Sequence, residues 1–156
     1  MNQCLLHIRR LCRSFRCAMR GVALCVGQER NFRVHLCATL YVLAFSATVG
    51  LPWPSVAVLL LAIGMVLAAE LANSAVERLC DRDWNGYSPL VRDAKDMAAG
   101  AVLICAGIAV IIGIGILAPA LPEFLDLLWE KIWLLALWCL SIPVVLLFIF
   151  NRRKLP

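Results

Sequence analysis

An all-α protein that crosses a membrane with four helices is the fold class this sequence predicts, and three observations predict it. The first is composition. Of 156 residues, 63% are hydrophobic and only 16% charged, with a mean hydropathy of +0.87. A water-soluble domain of this length has no use for so much apolar sequence, so a bilayer is the expected solvent. The second is segmentation. Apolar stretches lie at about 34–52, 56–77, 97–118 and 130–150, each close to the roughly 17–25 residues that cross a hydrocarbon core as a helix. The third is where the cations stand. Fourteen of the fifteen Lys and Arg residues precede the first stretch, separate the second from the third, or follow the fourth, and Lys131 alone lies elsewhere. The positive-inside rule then puts both termini and the 78–96 connection in the cytoplasm. The net charge of +5 tracks the membrane, so it carries no argument for a nucleic-acid partner.

The segments follow in order. Within residues 1–30, Ile8, Cys12, Phe15, Met19 and Val22 recur at helical spacing beside a stripe of Arg9, Arg13, Arg16 and Arg20. That pattern predicts an amphipathic helix in the cytoplasmic interface, with its guanidinium groups at anionic head groups. A signal peptide is not expected, because the Arg-rich leader lacks a small-residue cleavage site after its first apolar run. "GLPWPS" at 50–55 reads as a tight outer turn with Trp53 at belt depth, and "DRDWNGYSP" at 81–89 as a polar cytoplasmic turn. "APALPEFLD" at 118–126 reads as a second outer loop, after which Trp129 and Trp133 open the fourth span. Pro143 is a candidate kink in that span. The eight cysteines show no CxxC and no zinc-like spacing, and they read as reduced, small apolar residues.

The second span ends in a stretch that hydrocarbon does not tolerate cheaply. In "AELANSAVERLCD", Glu70, Asn73, Glu77 and Asp81 share one face of a helix at 3.6 residues per turn. Glu70 and Glu77 stand about 10 Å apart along the axis at about 1.5 Å per residue. An ionised side chain near mid-membrane costs about 2.5–3.5 kcal/mol on insertion scales, so carboxylates there usually mark a site. Asp81 equally suits a place at the water boundary, and Glu70 does not. Across the polar turn, Lys95 and Asp96 open the third span, and Ala98, Ala99, Gly100 and Ala101 permit close helix approach. Facing carboxylates and a Lys suit metal and phosphate chemistry, the acids holding Mg²⁺ and the Lys neutralising phosphate. Glu29, just before the first span, adds a carboxylate at similar depth.

"ELANSAVERLCD", a polar turn and "YSPLVRDAKDMAAGAVL", with "SFRCAMRG" and "ERNFRVH" upstream, together resemble the small bacterial membrane lipid kinases, the prokaryotic diacylglycerol kinase and undecaprenol kinase family. The resemblance covers about residues 10–118. It implies an interfacial helix, three transmembrane helices, a homotrimer and MgATP-dependent phosphorylation of a lipid hydroxyl at the cytoplasmic face of the bacterial inner membrane. By position it makes Glu70 the general base and Glu29 and Glu77 the ligands of the metal–nucleotide complex. Asn73, Asp81, Lys95 and Asp96 match residues around the phosphates, Tyr87 an aromatic of the nucleotide-side turn, and Arg10 a basic residue of the surface helix. Cys17, Ser88 and Asp93 depart from the pattern, standing where a Tyr, a His and a basic residue are usual. Residues 1–118 are therefore expected to form the kinase domain. Residues 119–156 add an outer loop, an extra transmembrane helix and a basic cytoplasmic tail.

The principal alternative is a transporter or channel subunit using Glu70 and Glu77 as an ion or proton relay. It would need polar residues continuing toward the outer face, and the first and third spans supply none there. A phosphatase with a histidine nucleophile is disfavoured, since His7 and His35 show no recognisable pairing. A soluble-type kinase is excluded by the lack of a GxxxxGK[ST] loop.

Overall fold

The computed structural model describes residues 2–83 and 88–151, with side chains described for 7–82 and 88–151. Within them lie six helices: α1 (Asn2–Gln28), α2 (Arg30–Val49), α3 (Trp53–Asp83), α4 (Pro89–Leu117), α5 (Leu121–Glu130) and α6 (Ile132–Phe150). There is no strand among the described residues. Helices α2, α3, α4 and α6 are each long and apolar enough to cross a membrane. They correspond to the four predicted spans, with α3 and α4 extended on their polar sides beyond the apolar stretches.

Local chemistry sets the breaks. Glu29 takes an extended conformation (φ −97°, ψ 115°) and separates α1 from α2. Gly50 ends α2 in the left-handed region at φ 75°, and the N–H groups of Gly50 and Leu51 both donate to Ser46 O at 3.0 Å. Glycine adopts this cap without steric cost. Although nothing lies within 4 Å of a Cβ built at Gly50, Gly50→Ala is expected to cost about 1–2 kcal/mol from the backbone alone, measurable as earlier thermal unfolding in detergent. Ser88 precedes α4 in an extended conformation and Pro89 fills its first turn, where a missing N–H is harmless.

The loop expected at 118–126 is instead mostly helix. Leu121, Phe124, Leu125 and Leu128 repeat at helical spacing, and Pro122 sits where α5 begins. The fourth span accordingly starts at Ile132, after a break at Lys131 (φ −120°, ψ 80°). Pro143 lies within α6, which runs unbroken to Phe150.

Helices α3 and α4 form the most extensive pairing, and α2 packs against α3. On its far side α2 receives α5 and α6 through an aromatic cluster. Phe45 and Phe124 meet with ring centroids 4.6 Å apart, Phe124 and Trp138 at 5.1 Å, and Tyr41 and Trp138 at 5.2 Å. A hydrogen bond of 2.8 Å joins Tyr41 Oη and Ser141 Oγ. At the other end of α6, buried Arg33 donates from Nη1 to the carbonyl oxygen of Asn151 at 2.7 Å. The appended helix thus leans on the back of α2. The remaining core is thin: Leu59, Ala62, Val66, Cys25, Phe32 and Cys37 are buried, while α4 and α6 bury no residue. Leu103, Ile111, Leu140 and Leu147 stand exposed on them, an apolar surface that only a bilayer or other protein could cover. No disulfide forms among the described cysteines, as expected.

Candidate active site between the second, third and fourth helices

The polar stripe of α3 faces inward toward α2 and α4. Glu70 is only 4% exposed, and its Oε1 lies 3.3 Å from His35 Nε2 on α2. One turn nearer the α3 C-terminus, Asn73 Nδ2 donates to Glu77 Oε1 at 2.9 Å. The other amide atom, Asn73 Oδ1, is buried with no hydrogen-bond partner. Glu70, Asn73, Glu77 and His35, with Asn31, line a cavity of about 380 Å³. Its remaining wall comes from Val34 and from Ala99, Val102, Leu103 and Ala106 of α4. The small residues at 99 and 106 keep α4 close to α3 and leave the cavity open between them.

The other sequence candidates among the described residues do not line this cavity. Glu29 Oε1 lies 3.4 Å from Arg78 Nη2, which also donates to Gln28 Oε1 at 2.9 Å. Asp81 and Lys95 form an ion pair bridging α3 and α4. Asp96 pairs with Arg92 at 3.7 Å, both largely exposed. Arg10 stands on the exposed face of α1, where its carbonyl oxygen accepts from Ser14 Oγ at 3.1 Å. Tyr87 lies outside the described residues. Glu70, Asn73 and Glu77 are therefore brought together at the cavity, Glu29 is tied to the same helix through Arg78, and Asp81 and Lys95 make a second polar pair between α3 and α4.

Among the described residues, no three His, Cys, Asp or Glu side chains converge on a ready-made metal cage. The donor set suits a cation that arrives with its own ligands. Mg²⁺ characteristically takes one or two carboxylates, keeps waters and completes its shell with substrate phosphates. Glu77 and the orphaned Asn73 oxygen offer that partial set, and Glu29 is paired with Arg78, the residue after Glu77.

His35 was missed by sequence reasoning, and so was Asn31. Both carried a signal. His35 is a polar residue inside an apolar span, subject to the same cost argument that singled out Glu70, and its partner is remote in sequence.

A second cavity, of about 340 Å³, adjoins the first and shares His35 and Ala106 with it. Its wall is otherwise apolar except for Thr39, and includes Val42, Leu59, Ala62, Val66 and Ala109. Thr39 Oγ1 donates to the His35 carbonyl oxygen at 2.8 Å, so its hydroxyl is already engaged. A polar cavity and an apolar one thus meet at His35, next to Glu70.

The family model of the prokaryotic diacylglycerol kinase matches residues 16–117. The chain is 40% identical over 109 residues to a diacylglycerol kinase of Synechocystis sp., covering 69% of this chain and 62% of that protein. It is 38% identical over 115 residues to the undecaprenol kinase of Bacillus subtilis, covering 74% of this chain and 94% of that protein. The chain thus spans less than two thirds of the first relative and nearly all of the second. No solved structure gives a significant match.

Proposed function

The chain belongs to the prokaryotic diacylglycerol kinase family, a family of lipid kinases, and on that premise we propose that it transfers the γ-phosphate of ATP to the hydroxyl of a membrane lipid alcohol, diacylglycerol or undecaprenol. The observation that carries this reading is the place of Glu70: a buried carboxylate where a polar cavity meets an apolar one. A lipid alcohol needs that junction, because its chain stays in hydrocarbon while its hydroxyl must reach phosphate.

The steps follow from positioning and charge, which dominate phosphoryl transfer. Glu70 accepts the hydroxyl proton as the lipid oxygen bonds to the γ-phosphorus. The bond from that phosphorus to the β–γ bridging oxygen breaks, and ADP leaves. Glu29 and Glu77, helped by Asn73 Oδ1, would hold the metal–nucleotide complex, and a Mg²⁺ ion bound there would supply charge neutralisation for the phosphates. Lys95 releases Asp81 to meet phosphate, while Asp96, Tyr87 and Arg10 belong to the nucleotide side of the site. The site faces the cytoplasm of a bacterial inner membrane, where ATP is supplied. An ion relay fits poorly, because the cavity beyond Glu70 has an almost wholly apolar lining.

The acceptor is tested by ATP consumption in mixed micelles offered diacylglycerol and undecaprenol separately. Consumption is expected with one or both, and a lack of response to either contradicts the reading.

Two further proposals concern architecture. The exposed apolar face of α4 supports a homotrimer in which other copies cover part of it. The mass of the active detergent-solubilised protein is expected to correspond to three chains, and an active monomer would refute this. Residues 1–118 form the catalytic unit, since α5 and α6 contact α2 on the side away from the polar cavity. Truncation after Ala118 is therefore expected to keep most specific activity while lowering the unfolding temperature, as Arg33 loses the Asn151 carbonyl. Complete inactivity of a folded truncation would place α6 in the catalytic machinery.

A further inference from the structure

We propose that His35 is a positioning residue for phosphoryl transfer, holding Oε1 of Glu70 and so presenting the other carboxylate oxygen to the lipid hydroxyl. The proposal rests on the lipid kinase reading and adds to it a residue on a different helix. Three observations carry it. His35 Nε2 lies 3.3 Å from Glu70 Oε1, and no other side-chain hydrogen bond or ion pair is described for that carboxylate. His35 lines both cavities, whereas Glu70 lines only the polar one. The imidazole is also the one ionisable side chain of the apolar cavity. A lipid alcohol that leaves its chain in the apolar cavity must therefore pass its hydroxyl across the imidazole to reach Glu70.

The backbone around His35 is well anchored. Its carbonyl oxygen is held by Thr39. The ring therefore projects from a supported turn of α2. A buried carboxylate free to rotate would present either oxygen to either cavity. A donor on one oxygen removes that freedom, as outer-shell partners of functional carboxylates and imidazoles commonly do.

The experiment compares the wild type, His35→Ala and His35→Gln in mixed micelles, measuring kcat and the KM for ATP on correctly assembled protein. Gln keeps an N–H donor at similar reach, and Ala removes it. His35→Ala is expected to lower kcat by about 10–100-fold with the KM for ATP unchanged. His35→Gln is expected to recover most of that loss. The double variant His35→Ala/Glu70→Gln is expected to be no worse than Glu70→Gln alone, because residues acting through one interaction are not additive. Wild-type kcat in His35→Ala, or Ala and Gln variants equally impaired, would overturn the positioning role. So would a loss confined to the KM for ATP. If His35→Ala fails to assemble, His35→Asn, whose shorter amide does not reach Glu70, takes its place: a kcat loss in the Asn variant that the Gln variant recovers supports the role, and wild-type kcat in the Asn variant, or Asn and Gln variants equally impaired, refutes it. A wild type that phosphorylates no lipid alcohol would instead refute the function on which the proposal rests.

Discussion

Glu70→Gln is expected to lower kcat by about 10²–10⁴-fold, the usual contribution of a positioned general base, while MgATP still binds. The amide keeps the size of the carboxylate and can still meet His35, so the fold around the 4%-exposed side chain has little reason to change. What disappears is the proton acceptor. Nucleotide binding is proposed to draw on Glu29, Glu77 and the groups nearer water, which the substitution does not touch. The measurement is a paired one, turnover in mixed micelles and nucleotide affinity by titration on the same preparation. Near-normal turnover would remove Glu70 from the role of base. A parallel collapse of turnover and affinity would move it into the nucleotide site.

Glu77→Ala is expected to behave differently, weakening MgATP binding and turnover together by about 10–100-fold. Two effects combine. The carboxylate proposed to face the cation is lost, and Asn73 Nδ2 loses the acceptor it holds at 2.9 Å, freeing an amide whose Oδ1 is proposed to face the same complex. Glu77→Gln separates them, since it keeps an oxygen for Asn73 but lacks the charge. It is expected to resemble Glu77→Ala if charge dominates. EDTA should abolish wild-type activity and Mg²⁺ should restore it. Activity that persists with EDTA would count against any metal-dependent reading of Glu29 and Glu77.

The membrane fold was legible because its cause is written locally. Apolar runs of bilayer length, and cations collected between them, need no knowledge of tertiary contacts. The inward face of α3 was legible for a similar reason, since helical periodicity alone aligns Glu70, Asn73 and Glu77. The stretch 118–126 reads as an outer loop from sequence, whereas Phe124 reaches back to Phe45 and Trp138 and a helix forms over Leu121–Glu130. His35 was passed over because its partner lies 35 positions away on another helix, and no periodicity links the two. The same holds for Arg33 and Asn151, whose bond joins distant parts of the chain. Polar residues inside apolar runs were the shared and underused signal: each has to find a partner, and the sequence does not say which.

The central claim is that this chain moves phosphate from ATP to a lipid alcohol through Glu70. It is tested most directly by following γ-labelled phosphate in liposomes containing the purified protein with diacylglycerol or undecaprenol. The account predicts that label appears in a lipid monophosphate in step with ADP, and that Glu70→Gln stops the transfer. Label released only as free phosphate, or transfer to lipid that continues unchanged in Glu70→Gln, would contradict it.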